Sequence, residues 1–325
     1  MVIPPVVSLF VPTWNAGPEF PEILGCMQRQ RLDRPFEILV IDSGSTDGTV
    51  EFLRQQPIRL IEIPHSQFNH GLTRNLGIRE ALGEIVILTV QDARPADDLW
   101  MQRLVDAFDD ARVAGAYGRQ IPRPDASPFI RDRLQGWLAA NTAPRTQSVT
   151  SPEEFEALAP LDKVRRAAFD NVSSGVRRRI ALDIPFRERR FGEDLDWAHR
   201  VLLAGYAILY EPRSCVIHSH ERSPWYELKR VYLDHQNLYR LFGVHVVPRR
   251  QDLIWRTIAG ARHALRTVAR DPSLGFAGRV SWWCRAIPYS FAQSLAQYLG
   301  ARSVAQLGKR QYLYRWLDRL FGRAV

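Results

Sequence analysis

Asp92 closes the β-branched run EIVILTVQD (84–92) and enters the turn ARP. A carboxylate there can hold a divalent cation that bridges the phosphates of a ligand, or it can simply cap the helix that follows. Its neighbour Gln91 is neutral, so a cation held here needs a further ligand. Glu193 and Asp194 open the amphipathic segment FGEDLDWAHRVLLAGY, at a helix start where the dipole favours carboxylates. One of the two can also act as a general base, worth roughly 10²- to 10⁴-fold in rate. His218 and His220, in HSH after a β-branched run, read as alternate strand residues that face opposite sides, which leaves at most one for a given cleft. Asp42 and Ser43 lead into the polar turn SGSTDG, whose small residues let a nucleotide approach closely or make an ordinary βα turn with an N-cap.

The elements that must position these residues alternate regularly. VVSLFVP (6–12), FEILVID (36–42), IRLIEIP (58–64) and EIVILTVQD (84–92) read as strands. PEFPEILGCMQRQ, STDGTVEFLRQQ with Ser45 or Thr46 as its cap, GLTRNLGIREALG ending at Gly83, and DDLWMQRLVDAFDD (97–110) read as the helices between and after them. This order predicts βαβ units, an α/β fold and a largely parallel sheet, with ligands at the carboxyl ends of its strands. Those ends are Thr13, Trp14 and Asn15, then Asp42 and Ser43, then Gln91 and Asp92. Residues 122–165 lose the rhythm and read as loops on the acceptor side. Order returns with FDNVSSGVRRRIAL, the helix at Glu193, and strand-like AILYEP and SCVIHSH; beyond Ser223 the pattern is helical.

The 325 residues are 24% charged and 46% apolar, enough for a large core and too polar for a membrane bundle. From Arg222 to Val325 there are 18 Lys or Arg and 5 Asp or Glu, a balance of +13 that leaves −4 for residues 1–221 out of a total of +9. Such a confined excess points to an anionic partner, a phospholipid surface or nucleic acid. The same segment holds Trp225, Trp255, Trp282, Trp283 and Trp316 among arginines, the composition of a membrane headgroup interface. Residues from about 245 onward are therefore expected to hold the chain on an anionic membrane surface. The beginning of the chain has no basic region of the signal-peptide kind, and no apolar run is long enough to span a bilayer. Three cysteines without CxxC spacing give neither a disulfide framework nor a thiolate zinc site and suit a reducing cytoplasm.

The segments VSLFVPTWNAG, EILVIDSGSTDGTVEFL, FNHGLTRNLG, VILTVQDARPADDLWMQRLVDAF, FGEDLDWAHRVLLAGYAILYEP and VIHSH, in that order over about residues 5–240, resemble a family 2 glycosyltransferase of the GT-A fold. IDSGSTDGT, FNHGLTRN and QDARPADDLW look most like the bacterial rhamnosyltransferase branch. The resemblance implies a Rossmann-like sheet flanked by helices, with residues 1–121 as the nucleotide-sugar half, 122–243 as the acceptor and catalytic half, and 244–325 as a basic, aromatic helical extension. It implies inverting transfer of a sugar, L-rhamnose in that branch, from a nucleoside diphosphate donor, thymidine-linked or else uridine-linked, to a glycan or lipid-linked acceptor in cell-surface polysaccharide synthesis.

Carried over by residue, Pro12, Thr13 and Trp14 lie against the base and ribose, with Asp42 and Ser43 near the base and Arg74 at the base or diphosphate, and Asn15 and Gln91 join the nucleotide-sugar-binding set. Asp92 matches the last carboxylate of the family's metal-binding DxD region, and His218 stands where some relatives carry a metal-ligating histidine, so a Mg²⁺ or Mn²⁺ ion is implied. Asp194 matches the catalytic base, with Glu193 beside it on the acceptor. Two departures stand out: Asp-Ser replaces the family's double aspartate after the second strand, and Gln-Asp-Ala replaces DxD. A sugar nucleotidyltransferase would need a GxGxRxxP-like loop that PTWNAGPEF lacks. A nucleic-acid-binding protein would use the basic segment, but no known nucleic-acid motif accompanies it. Residues 244–325 can alternatively form a subunit interface.

Overall fold

The computed structural model describes residues 6–305 and 311–321. In chain order the first half runs β1 (Val7–Thr13), α1 (Phe20–Gln28), β2 (Phe36–Asp42), α2 (Thr49–Leu53), β3 (Arg59–Glu62), α3 (His70–Glu80), β4 (Ile85–Thr89), β5 (Arg94–Pro95), α4 (Trp100–Asp106) and β6 (Val113–Ile121). The second half runs α5 (Pro128–Gly136), β7 (Arg145–Gln147), α6 (Pro152–Ala157), α7 (Pro160–Arg166), β8 (Ser173–Arg177), α8 (Arg178–Asp183), α9 (Glu193–Leu203), β9 (Ala207–Ile217), α10 (Pro224–Phe242), α11 (Arg250–Arg270), α12 (Phe276–Ala305) and α13 (Gln311–Phe321).

One sheet, in the order β3-β2-β1-β4-β8-β6-β9-β5 with β7 also on β9, runs through both halves. Strands β3, β2, β1, β4, β6 and β9 point one way; β8, β5 and β7 oppose them. The sheet is mostly parallel, as the alternating pattern predicts. Its central strands are apolar on both faces, so successive residues feed two separate cores. Phe10, Leu39, Ile41 and Leu88 pack with Ile78 of α3, Ile180 of α8 and Trp197 of α9. Leu9, Val11, Ile38, Val40 and Ile87 pack with Phe20 and Leu24 of α1 and Trp100 and Leu104 of α4. Three layers result. Gly77 is required where α3 crosses β1, since a Cβ there would lie 2.5 Å from the Phe10 ring.

Three expectations need correction. Residues 122–165 are not merely loops: Pro128, Pro152 and Pro160 each start a short helix, and Ser127 and Ser151 cap the first two. Proline-rich punctuation marked helix starts rather than irregular chain. Neither Ser45 nor Thr46 caps α2, whose N-cap is Gly48 at φ 93°; the Ser45 hydroxyl turns to Asp42 instead. AILYEP and SCVI form a single strand, β9, which stops before HSH and has a register jump against β6 between Glu211 and Cys215.

Among the described residues no helix is long and apolar enough to cross a membrane. Beyond residue 244 the chain is helical, as expected (α11 to α13), and α12 and α13 pack on α10 through Tyr232, Leu233, Ala296, Tyr314, Leu317 and Phe321. Lys309, Arg310 and Arg323 of its basic set lie outside the described residues.

Candidate active site

The carboxyl ends of β1, β2 and β4 meet as expected, but several of their side chains are spent on one another. Asp42 is fully buried: Oδ1 accepts the amides of Gly44 (3.0 Å) and Ser45 (2.8 Å), and Oδ2 accepts the hydroxyls of Thr13 (2.8 Å) and Ser45 (2.6 Å). Ser43 donates its hydroxyl to the Thr13 carbonyl (3.0 Å). The side chains of Thr13, Asp42 and Ser43 thus hold together the loops after β1 and β2, and the four hydrogen bonds to the Asp42 carboxylate engage its lone pairs.

That scaffold presents other groups. Gln91 accepts the Trp14 amide (2.8 Å) and donates to its carbonyl (3.1 Å), tying the end of β4 to the loop after β1. Asn15, at φ 44°, accepts the Thr46 amide (2.8 Å). Trp14 is left about half exposed (48%) and stacked on His65 at 4.5 Å, an aromatic platform next to half-buried Pro12.

The metal expectation is both supported and enlarged by the geometry. Asp92, His218 and His220 each offer a ligand atom, all within 4.8 Å of one another. The His218 Nε2 lies 3.5 Å and the His220 Nε2 3.2 Å from the Asp92 carboxylate, and the two nitrogens are 3.1 Å apart. The opposite-faces reading is wrong because β9 ends at Ile217, so residues 218–220 have left the pleat that makes neighbours alternate. Burial works against the charge on Asp92, yet the hydrogen bond and charge of His218, then His220, more than offset it and hold the carboxyl at about 2. Burial pushes His220 down to about 4 despite Asp92. At neutral pH the cluster thus offers a carboxylate and a neutral imidazole. A mixed N,O donor set fits Mn²⁺ better than Mg²⁺, which prefers oxygen alone.

Gln120, unmarked in the sequence, orients the His218 ring. Its amide donates Nε2–H to Asp170 and accepts from His218 Nδ1 (2.9 Å) through Oε1. A carbonyl oxygen only accepts, so Nδ1 donates to Gln120 and the ring is oriented with Nε2 toward Asp92. Gln120→Leu is expected to weaken Mn²⁺ binding roughly 10- to 100-fold, as outer-shell losses do, measured by calorimetric titration. Unchanged affinity would remove this role.

Glu193 and Asp194 start α9 after Gly192, which takes φ 72° and has no room for a Cβ, since the Asn237 side chain would lie 2.2 Å away. Their environments drive them apart. Glu193 is buried and accepts from Arg74 (2.5 Å), with Asn171 at 3.4 Å. Burial opposes its charge, but Arg74 and then His70 prevail and keep its carboxyl below the ordinary range. Asp194 is held well above that range, first by burial and then by the charges of Glu193 and Asp170. Two carboxyls pushed in opposite directions separate their roles, and the raised one is suited to take a proton. Arg74 and Glu193 are each other's buried partner, a pairing that the expected contacts with diphosphate and acceptor did not include. Asn69 holds Arg74 in place by capping α3 on the amides of Gly71 and Leu72.

Residues 8–172 match the glycosyl transferase family 2 domain. The chain is 30% identical over 301 residues to the O-antigen chain rhamnosyltransferase RfbN of Salmonella typhimurium, covering 90% of this chain and 89% of that protein. It is 29% identical over 246 residues to the N-acetylglucosaminyl-diphospho-decaprenol L-rhamnosyltransferase of Mycobacterium tuberculosis, with 66% and 75% covered. Among solved structures it is similar to a mycobacterial protein (TM-score 0.51, 14% identity, 73% of each chain). A mannosyltransferase from Pyrobaculum calidifontis, solved with GDP-mannose and Mn²⁺, aligns at TM-score 0.48 and 19% identity over 98% of this chain and 84% of that one. The chain belongs to glycosyl transferase family 2 and is a glycosyltransferase of the GT-A fold.

Proposed function

We propose that the enzyme transfers L-rhamnose, with inversion, from a thymidine diphosphate donor to a glycan or lipid-linked acceptor in cell-surface polysaccharide synthesis, at the cytoplasmic face of the membrane. The chemistry rests on one observation: Asp92, His218 and His220 converge at the carboxyl edge of the sheet, while the head of α9 presents a carboxyl of raised basicity. The choice of rhamnose rests on the names of the relatives. Asp194 takes the proton of an acceptor hydroxyl as that oxygen attacks the anomeric carbon from the face opposite the diphosphate. The new C–O bond forms as the bond to the β-phosphate oxygen breaks, and the diphosphate leaves with the electron pair. A divalent cation held by Asp92, His218 and His220, when bound, stabilises the charge growing on that diphosphate. Arg74 keeps Glu193 ionised, and that fixed charge helps hold Asp194 basic. Trp14 and His65 offer the base a stacking surface, and Asn15 and Pro12 border it.

Donor choice is tested by thermal shift in Mn²⁺. A thymidine diphosphate sugar at 100 times its dissociation constant should add about 2.7 kcal/mol of stability and raise the melting temperature more than uridine or guanosine counterparts do at equal concentration. A larger shift with uridine diphosphate sugars would move the assignment to a uridine-linked donor.

A further inference from the structure

The α11–α12 hairpin has one face that nothing in the described chain covers. Gly260 abuts Ser290, and the Trp283 indole donates to the Leu265 carbonyl (3.3 Å), so the helices are antiparallel with these residues level. The side toward the body is marked by α5: Asp132 is hydrogen-bonded to His263 (2.8 Å) and Thr267 (3.2 Å), and Phe129 stacks on Tyr289 and meets Trp282 edge-on. Counting 100° per residue from these contacts puts Ile258 and Arg262 of α11 on the side away from α5, together with Val280, Ile287 and Phe291 of α12, with Trp255 and Arg266 on the adjoining flank of α11. Trp255 is 71% exposed, Ile287 62% and Phe291 50%.

Charge is concentrated on the same hairpin, with Arg262 at the apolar face itself and Arg266 at its flank. Residues 250–305 carry eight arginines and only two acidic residues, Asp252 and Asp271. The five arginines of α11 (Arg250, Arg256, Arg262, Arg266, Arg270) are all exposed, and none makes a side-chain hydrogen bond or ion pair among the described residues. Asp252 is turned to its own helix start, and Asp271 to Arg131. Residues 1–221 are net negative, so the positive potential is concentrated here.

We propose that this outward face is a docking surface for anionic lipid headgroups. Unpaired guanidinium groups beside Trp, Ile, Val and Phe side chains that are 37% to 71% exposed match an interfacial helix: the apolar groups enter the headgroup boundary and the arginines meet phosphates. A protein partner would leave those arginines desolvated without known counter-charges, and nucleic acid has no use for the aliphatic row Val280 and Ile287. The inference deepens the proposed location of the enzyme, but its test uses neither donor nor acceptor, so it can fail while the transfer reaction stands.

Full-length protein is expected to co-float at low salt with phosphatidylglycerol–phosphatidylcholine vesicles and not with phosphatidylcholine alone, and to be largely released at high salt. Arg262→Glu with Arg266→Glu should lower partitioning by on the order of 100-fold. Ile287→Ser with Phe291→Ser should leave binding that salt removes more easily. All four positions are on the surface, and unchanged circular dichroism and melting temperature establish that the variants fold. No flotation, equal flotation of the charge-reversed variant, or light scattering that shows a dimer which these same substitutions dissociate, would each overturn the proposal, the last in favour of a subunit interface.

Discussion

Asp194→Asn is expected to lower turnover roughly 10²- to 10⁴-fold while raising the melting temperature at neutral pH. The two effects have one origin. Burial, Glu193 and Asp170 hold the Asp194 carboxyl well above the ordinary range in the folded enzyme, so the native state binds a proton that the unfolded chain has released. Stability therefore falls as pH rises from the ordinary carboxylate range up to the raised folded value, and it remains lower above it. Asparagine carries no such charge. The melting temperatures of variant and wild type should diverge progressively across that interval, with the variant higher at neutral pH. The same proton governs rate: only the ionised carboxyl can take the acceptor proton, so the acid limb of the wild-type rate profile should lie above the value of an ordinary aspartate. Nucleotide affinity should stay close to wild type, because the base acts on the acceptor. Retention of more than about a tenth of the activity would exclude general-base work at this position.

What was legible in the sequence follows from where the physics is local. Strand β2 has the predicted bounds because FEILVID is a β-branched run paired on both sides, and β1 and β4 differ from expectation by only a residue or a few at their ends. The carboxyl-edge position of Asp42 and Asp92 came with those strands. Their partners did not, since a spacing says which strand end a residue occupies and nothing about which oxygen is already used. Asp42 proved to be consumed by Thr13, Ser45 and the amide of Gly44, and Arg74 to be bound to Glu193, 119 residues further along. Pairings at such separation depend on how α3 and α9 pack, which no local window contains. Gln120 was invisible for the same reason: it acts only through His218 and Asp170, which reach it from different strands and loops. The Pro-led helices of residues 128–166 were hidden by proline, which starts helices and also populates loops.

The histidine pair yields the second large effect, and it separates strand logic from the observed geometry. His218→Ala and His220→Ala are each expected to weaken Mn²⁺ binding by more than the roughly 10- to 100-fold typical of an outer-shell loss such as Gln120, because each removes a direct ligand atom. Strand alternation would have spared His220. In the structure both Nε2 atoms stand within 3.5 Å of the Asp92 carboxylate, and that carboxylate is held ionised to about pH 2 while His220 stays neutral down to about pH 4. Protons therefore do not compete with a cation for Asp92 or His220 at neutral pH, and affinity should decline as acid approaches those values. Removing either histidine also changes Asp92, whose hydrogen bond and charge partners hold its carboxyl low, so the variants should lose a ligand and some of the remaining ligand's readiness. Transfer by wild-type enzyme should stop on chelation and return with added Mn²⁺, and the two alanine variants should need more Mn²⁺ for the same rate. Titration of free Mn²⁺ by electron paramagnetic resonance reads the affinities without turnover. If His220→Ala bound Mn²⁺ as wild type does, the three-residue site would reduce to Asp92 and His218, and the second imidazole would be only a neighbour that lies across the first.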